Sequence, residues 1–158
     1  YCPPGSCNWL LIMWQVVDTK NELRLWNPGI RKSLRIPPCP FPSDLQYKFV
    51  FGFTPTSKEH KILAITFDED PGTQPKDLFF AVYTLSDQQW TVRNNGLNVE
   101  RSCFERIFWS FYHPEDTVFL QGELHSIVRD LYGDGKYHLV SLDFNSEKLN
   151  FFAASKYI

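Results

Sequence analysis

The sequence predicts an all-β fold made of a few antiparallel units on one plan, and three observations carry that expectation. Aromatic residues make up 16% of the 158 positions and stand with Val, Ile and Leu in short runs rather than at helical spacing, which suits a half-buried pleated surface. The runs are separated by polar turn sequences rich in Pro, Gly, Asn, Asp and Ser, the residues that terminate strands. A single hairpin also recurs, as "LRLWNPGIRKSLRI", "FAVYTLSDQQWTV" and "LVSLDFNSEKLNFF", each with an alternating strand, a short polar turn and a brief return strand. The copies recur at very roughly 50 to 60 residues, close to the length of a kelch-type blade, so the expected architecture is a kelch-like partial β-propeller of about three antiparallel blades.

Taken in order, Asn8 to Val17 ("NWLLIMWQVV") is an apolar run bounded by turn residues and reads as a buried strand. "ELRLW" alternates, placing Leu23 and Leu25 on one face and Arg24 and Trp26 on the other. Asn27-Pro28-Gly29 forms the corner, because Pro presets φ and Gly accepts positive φ. "SLRIP" returns and stops at Pro37 and Pro38, which cannot donate to a ladder. The second unit runs "YKFVFGF", a Thr-Pro-Thr-Ser turn, "HKILAITF", a polar loop from Asp68 to Asp77, "LFFAVYTL", a Ser-Asp-Gln turn and "QWTVR". The third begins with "TVFLQGELHSIV" as one run, crosses "YGDGK", continues as "YHLVSLDF", turns at Asn145-Ser146-Glu147 and ends in "KLNFFAA". No convincing amphipathic helix stands out; "NVERSCFERIFWSFYHPED" is the nearest, and its aromatic half suits a strand as well.

Charge and motifs narrow the function. The net charge of −2, from 16 basic and 18 acidic residues, supplies no general field for polyanions or anionic membranes, so neither a nucleic-acid nor a membrane partner is expected. No nucleophile elbow, phosphate-binding loop, dinucleotide fingerprint or zincin helix occurs. The chain is therefore expected to be no enzyme and to use no cofactor. Cys2, Cys7, Cys39 and Cys103 lack zinc spacing and read as free thiols, or, in a secreted chain, as two disulfides of which Cys2 to Cys7 with Cys39 to Cys103 is one of three pairings. Asp68 and Asp70 have calcium-like spacing, but the glycine comes one position early at Gly72 and Phe79 stands where a bidentate Glu belongs, so no metal site is expected. Glu123 and His125 share a strand face and could pair as acid and base; a structural histidine is the plainer reading. Trp26 and Trp90 are expected to pack between blades.

The segments "GSCNWLL", "LRLWNPGIRKSLRIPP", "YKFVFGFTPTSKEHKIL", "VYTLSDQQW", "VFLQGELH" and "HLVSLDFNSEKL" follow one another in an order that resembles the F-box-associated interaction domain of plant F-box proteins. The likeness spans Gly5 to Phe152. Departures are Trp9 where that family usually has Gly, Thr54 for Asp, Gln121 for Asn and Ser126 for Trp. The resemblance implies a non-catalytic recognition subunit of an SCF-type ubiquitin ligase, residues 1–158 being a single target-binding domain from a longer F-box protein. An upstream F-box, not found in this chain, would contact a Skp-type adaptor and through it a cullin. It also implies residence in the cytoplasm or nucleus.

Target binding is expected on the connections whose sequences the blades do not dictate. These are Asp68 to Asp77 (Asp68, Glu69, Asp70, Gln74, Lys76), Asn94 to Cys103 (Asn94, Asn95, Asn98, Arg101) and Asp130 to Lys136 (Asp130, Tyr132, Asp134), together with Trp109 in the apolar "RIFWSFYHP" cluster. The alternative from a different class is a carbohydrate-binding, lectin-like β-domain using exposed Trp beside Asn or Asp.

Overall fold

The computed structural model describes residues 6–7, 10–17, 20–41, 48–67, 76–99, 106, 117–129 and 137–153. Its strands are β1 (Ser6–Cys7), β2 (Leu10–Val17), β3 (Lys20–Asn27), β4 (Lys32–Ile36), β5 (Lys48–Thr54), β6 (Glu59–Phe67), β7 (Lys76–Thr84), β8 (Gln89–Val99), β9 (Thr117–Leu120), β10 (Glu123–Arg129), β11 (Tyr137–Asp143) and β12 (Lys148–Ala153). They form three four-stranded antiparallel sheets, each a meander in which neighbours in sequence are neighbours in space. This is a partial β-propeller, and the recurring hairpin is the third and fourth strand of every sheet. Arg106 alone among the described residues is helical, within the stretch that came nearest to a helix in the sequence.

One turn is used four times. Asn27 and Lys32, Thr54 and Glu59, Thr84 and Gln89, and Asp143 and Lys148 close their ladders around a four-residue connection. In each the last connecting residue is left-handed without being glycine: Arg31 (φ 53°), Lys58 (φ 53°), Gln88 (φ 55°) and Glu147 (φ 59°). The turn opens on Asn, Thr, Thr or Asp because a short polar side chain can satisfy the turn's backbone donors. Asn27 Oδ1 accepts from Gly29 N at 3.0 Å, and Asp143 Oδ1 accepts from Asn145 N at 2.8 Å.

Two readings are corrected at strand level. "TVFLQGELHSIV" is two strands, because Gln121 (φ 52°) and Gly122 (φ 85°) both take positive φ and form a two-residue hairpin turn between β9 and β10. The first sheet gains a short strand, β1, ahead of the predicted run.

The second sheet is apolar on both faces, since the side-chain period of two sends alternate residues opposite ways. Val50, Leu63, Ile65, Phe80 and Val82 meet Leu124, Val140, Leu142, Phe144 and Leu149 of the third sheet. Phe51, Ile62 and Tyr83 turn the other way and join Ile12, Leu23, Leu25 and Ile36 of the first. The runs "ILAI" and "FAVY" are continuous because this sheet is covered twice.

Candidate functional site

A four-stranded meander has two unlike ends. At one end lie the tight turns joining first to second and third to fourth strands; at the other lie the second-to-third connections and the passages between sheets. We call these the turned end and the open end.

The turned end is fastened sheet to sheet. Phe144, in the β11–β12 turn, lies so close to Gly52 that a Cβ there would sit 2.7 Å from its ring, so only glycine leaves the space. Lys61 Nζ donates to the Phe144 carbonyl at 3.0 Å and to Glu147 Oε1 at 2.9 Å, while Arg93 Nε pairs with the other carboxylate oxygen. Gly122 packs its backbone against Pro55, and its carbonyl accepts from Phe144 N–H at 3.0 Å. His60 stacks on Phe51 with ring centroids 5.7 Å apart and lies 4.7 Å from Phe53. Its Nε2 is buried without a hydrogen-bond partner, and burial lowers its pKa below the usual 6.5 against the opposing pull of Glu59.

The open end receives every connection that the sequence singled out. Segments 68–75, 100–116 and 130–136 join β6 to β7, β8 to β9 and β10 to β11, all there. Asp68, Glu69, Asp70, Gln74, Arg101, Trp109, Asp130, Tyr132 and Asp134 lie outside the described residues. The others are placed differently from expectation. Lys76 starts β7, and Asn94, Asn95 and Asn98 belong to β8 rather than to a loop. The reason is backbone pairing: Lys76 faces Val99, Asp77 faces Asn98, and Phe79 faces Asn94, so Asn95-Gly96-Leu97 bulges opposite Leu78. Bulges of this kind bend a strand and re-aim it, and they concentrate beside binding sites. Tyr137, which heads β11 and is exposed, belongs to the same end and escaped the sequence reading. Its position directly after "YGDGK" was the available signal.

Other candidate chemistry resolves locally. Glu123 Oε2 accepts from Ser141 Oγ at 2.8 Å and lies 3.5 Å from His125 Nε2, so the hydroxyl is directed at the carboxylate rather than at the imidazole. Among the described residues no three His, Cys, Asp or Glu side chains converge to hold a metal ion. Cys39 is a free, half-buried thiol, and burial pushes its pKa up to about 11, which leaves little thiolate to react. Arg31, Lys32 and Arg35 are exposed, with Arg35 3.7 Å from Glu22. Trp90 packs on Phe49 and Tyr83 and donates Nε1–H to the Pro37 carbonyl at 2.8 Å, tying the second sheet to the exit of the first. Trp26 differs: it pairs with Ser33 on the face of the first sheet turned away from the second and is half-buried.

A family model described as "F-box associated beta propeller domain" matches residues 5–156. No curated protein and no solved structure matches the chain.

Proposed function

The chain belongs to the F-box associated β-propeller domain family, and from that premise we propose that it is the non-catalytic substrate-recognition domain of an SCF-type ubiquitin ligase. An F-box elsewhere in its parent protein docks on a Skp-type adaptor and cullin, while this domain holds the target for ubiquitination in the cytoplasm or nucleus. The carrying observation is the division of labour between the two ends. Repeated turns and fitted contacts occupy one end, and the long connections of unrelated sequence all leave the other. A rigid scaffold with variable loops at one end is how recognition domains are commonly built.

The target seats on the open end, over the strand ends marked by Lys76, the Asn94–Asn98 bulge and Tyr137. Several separate connections leaving one end suit a protein target, whereas the sugar reading needs an exposed Trp platform and Trp90 is committed to Pro37. Affinity capture with the full-length parent tests the assignment. The adaptor and cullin are expected only when the F-box segment is present, and the target whenever this domain is. A parent that recovers no adaptor contradicts the ligase role.

A further inference from the structure

The outer strands β4, β8 and β12 all leave the same turn, so their positions can be compared at the two seams between sheets. Thr91 and Arg93, the third and fifth residues of β8, share the face of Val82 and Phe80 and look toward the third sheet. Leu149 and Phe151, the second and fourth residues of β12, share the face of Leu142 and Val140 and look back. That seam is filled: Leu149 is 3% exposed, Phe151 packs against the core, and Arg93 closes the rim on Glu147.

The same positions at the seam between the first and second sheets are Leu34 and Ile36 of β4, with Trp90 and Val92 of β8 looking back at them. Here the rim is underfilled. Val92 stands where Phe151 stands, a smaller side chain, and is 52% exposed; Leu34 stands where Thr91 stands and is 37% exposed. Ile36 takes the place of Arg93 and Gln88 that of Glu147, so the ion pair has no counterpart. Trp90 still ties the two sheets together through Pro37, so the seam is joined while its rim stays open.

Beside this rim runs a backbone edge. Among the described residues β4 pairs with β3 alone, and four of its five residues are exposed. An edge of this kind accepts a further strand. A strand laid along β4 alternates, so every second side chain falls beside Leu34 and against Val92, and the others fall beside Ser33 and Arg35. Charge selects the occupant. Arg31 and Lys32 have no carboxylate partner among the described residues, and Arg35, its side chain 69% exposed, lies 3.7 Å from Glu22. The β4 edge of a second copy brings the same cations and is repelled, whereas a segment carrying carboxylates is attracted.

We propose that the rim between the first and second sheets is a docking surface for an extended segment of a partner protein in which acidic residues alternate with apolar ones. The segment pairs with the edge of β4, its apolar side chains fill the space between Leu34 and Val92, and its carboxylates face Arg35. This surface is separate from the open end and does not depend on the ligase role.

Fluorescence anisotropy of the labelled peptide Glu-Val-Glu-Phe-Glu-Val-Glu, titrated with the full-length parent, tests this. Binding is expected, and N-methylation of the peptide backbone should abolish it because the ladder needs the peptide's donors. Val92→Phe fills the rim from within, so it should weaken binding by about tenfold while the melting temperature holds or rises. Arg35→Glu should weaken binding by about tenfold and favour the counterpart peptide with Lys for every Glu. Lys148→Glu, the same reversal of charge on the outer strand of the third sheet, should change neither. Failure of the parent to bind, undiminished binding by Val92→Phe, an equal loss in Lys148→Glu, or undiminished binding of the N-methylated peptide overturns the proposal.

Discussion

The turned end and the open end are made by the same three sheets, yet they differ in how tightly their residues are determined. At the turned end a side chain touches the next sheet and any change is felt there: Gly52 accommodates the Phe144 ring, and Glu147 holds Lys61. At the open end the strands finish and the connections diverge in length and composition. On the proposed function stability and recognition lie at opposite ends, so one set of substitutions should change melting and the other should change binding.

The largest effect expected is at Phe144, a fully buried side chain. Phe144→Ala should cost about 3–5 kcal/mol in chemical denaturation. Combined with Gly52→Ala, itself destabilising by about 1–3 kcal/mol through overpacking, the loss should be less than the sum, since the added methyl enters the space the ring vacates. Additive losses would show that the contact is not the fastening we describe.

Next comes Glu147→Gln, which leaves Lys61 with only a carbonyl partner and Arg93 with a weaker acceptor. About 2 kcal/mol is expected, and Arg93→Ala should matter less because that side chain is 55% exposed. Equal effects would mean that the surface arm of the network carries as much as the buried one.

His60 gives the turned end a pH dependence. Its pKa is lowered by burial, so the unfolded chain takes up a proton near 6.5 before the folded chain does. Stability is held in full above 6.5 and falls as the pH drops from that value toward the folded-state pKa. His60→Leu should flatten this decline in melting temperature; an unchanged slope would assign the dependence to other groups.

The smallest effect sharpens the account of the turns. Gln121 takes φ 52° ahead of Gly122, where asparagine tolerates the left-handed region better. Gln121→Asn should raise stability by a few tenths of a kcal/mol, up to about 0.5. A loss would mean that the long Gln side chain makes a contribution of its own.

Much of the turned end was legible in advance, because its turns repeat and repetition reveals a plan. Asn27-Pro28-Gly29, Ser86-Asp87-Gln88 and Asn145-Ser146-Glu147 were all read as corners, and the blades followed from their spacing. The Gln121-Gly122 hairpin was missed because Gln is a weak turn signal, and the apolar residues on either side read as one run. The bulge at Asn95-Gly96-Leu97 was missed for the opposite reason: its polar, glycine-containing sequence looks like a loop, and only pairing with β7 makes it a strand. Ion pairs such as Lys61 with Glu147 join positions far apart in the chain and leave no local pattern to read. The open end was legible only as sequences that the blades do not require; topology then gathered them on one side.

Target capture by the full-length parent with paired substitutions tests this division most directly. Lys76→Glu and Asn98→Arg at the open end should leave melting within about 0.5 kcal/mol of the parent while target recovery falls at least tenfold. Lys58→Glu and Gln88→Arg at the turned end should leave target recovery unchanged. Recovery lost through the turned-end pair and retained by the open-end pair would place recognition on the other side of the propeller and contradict the account.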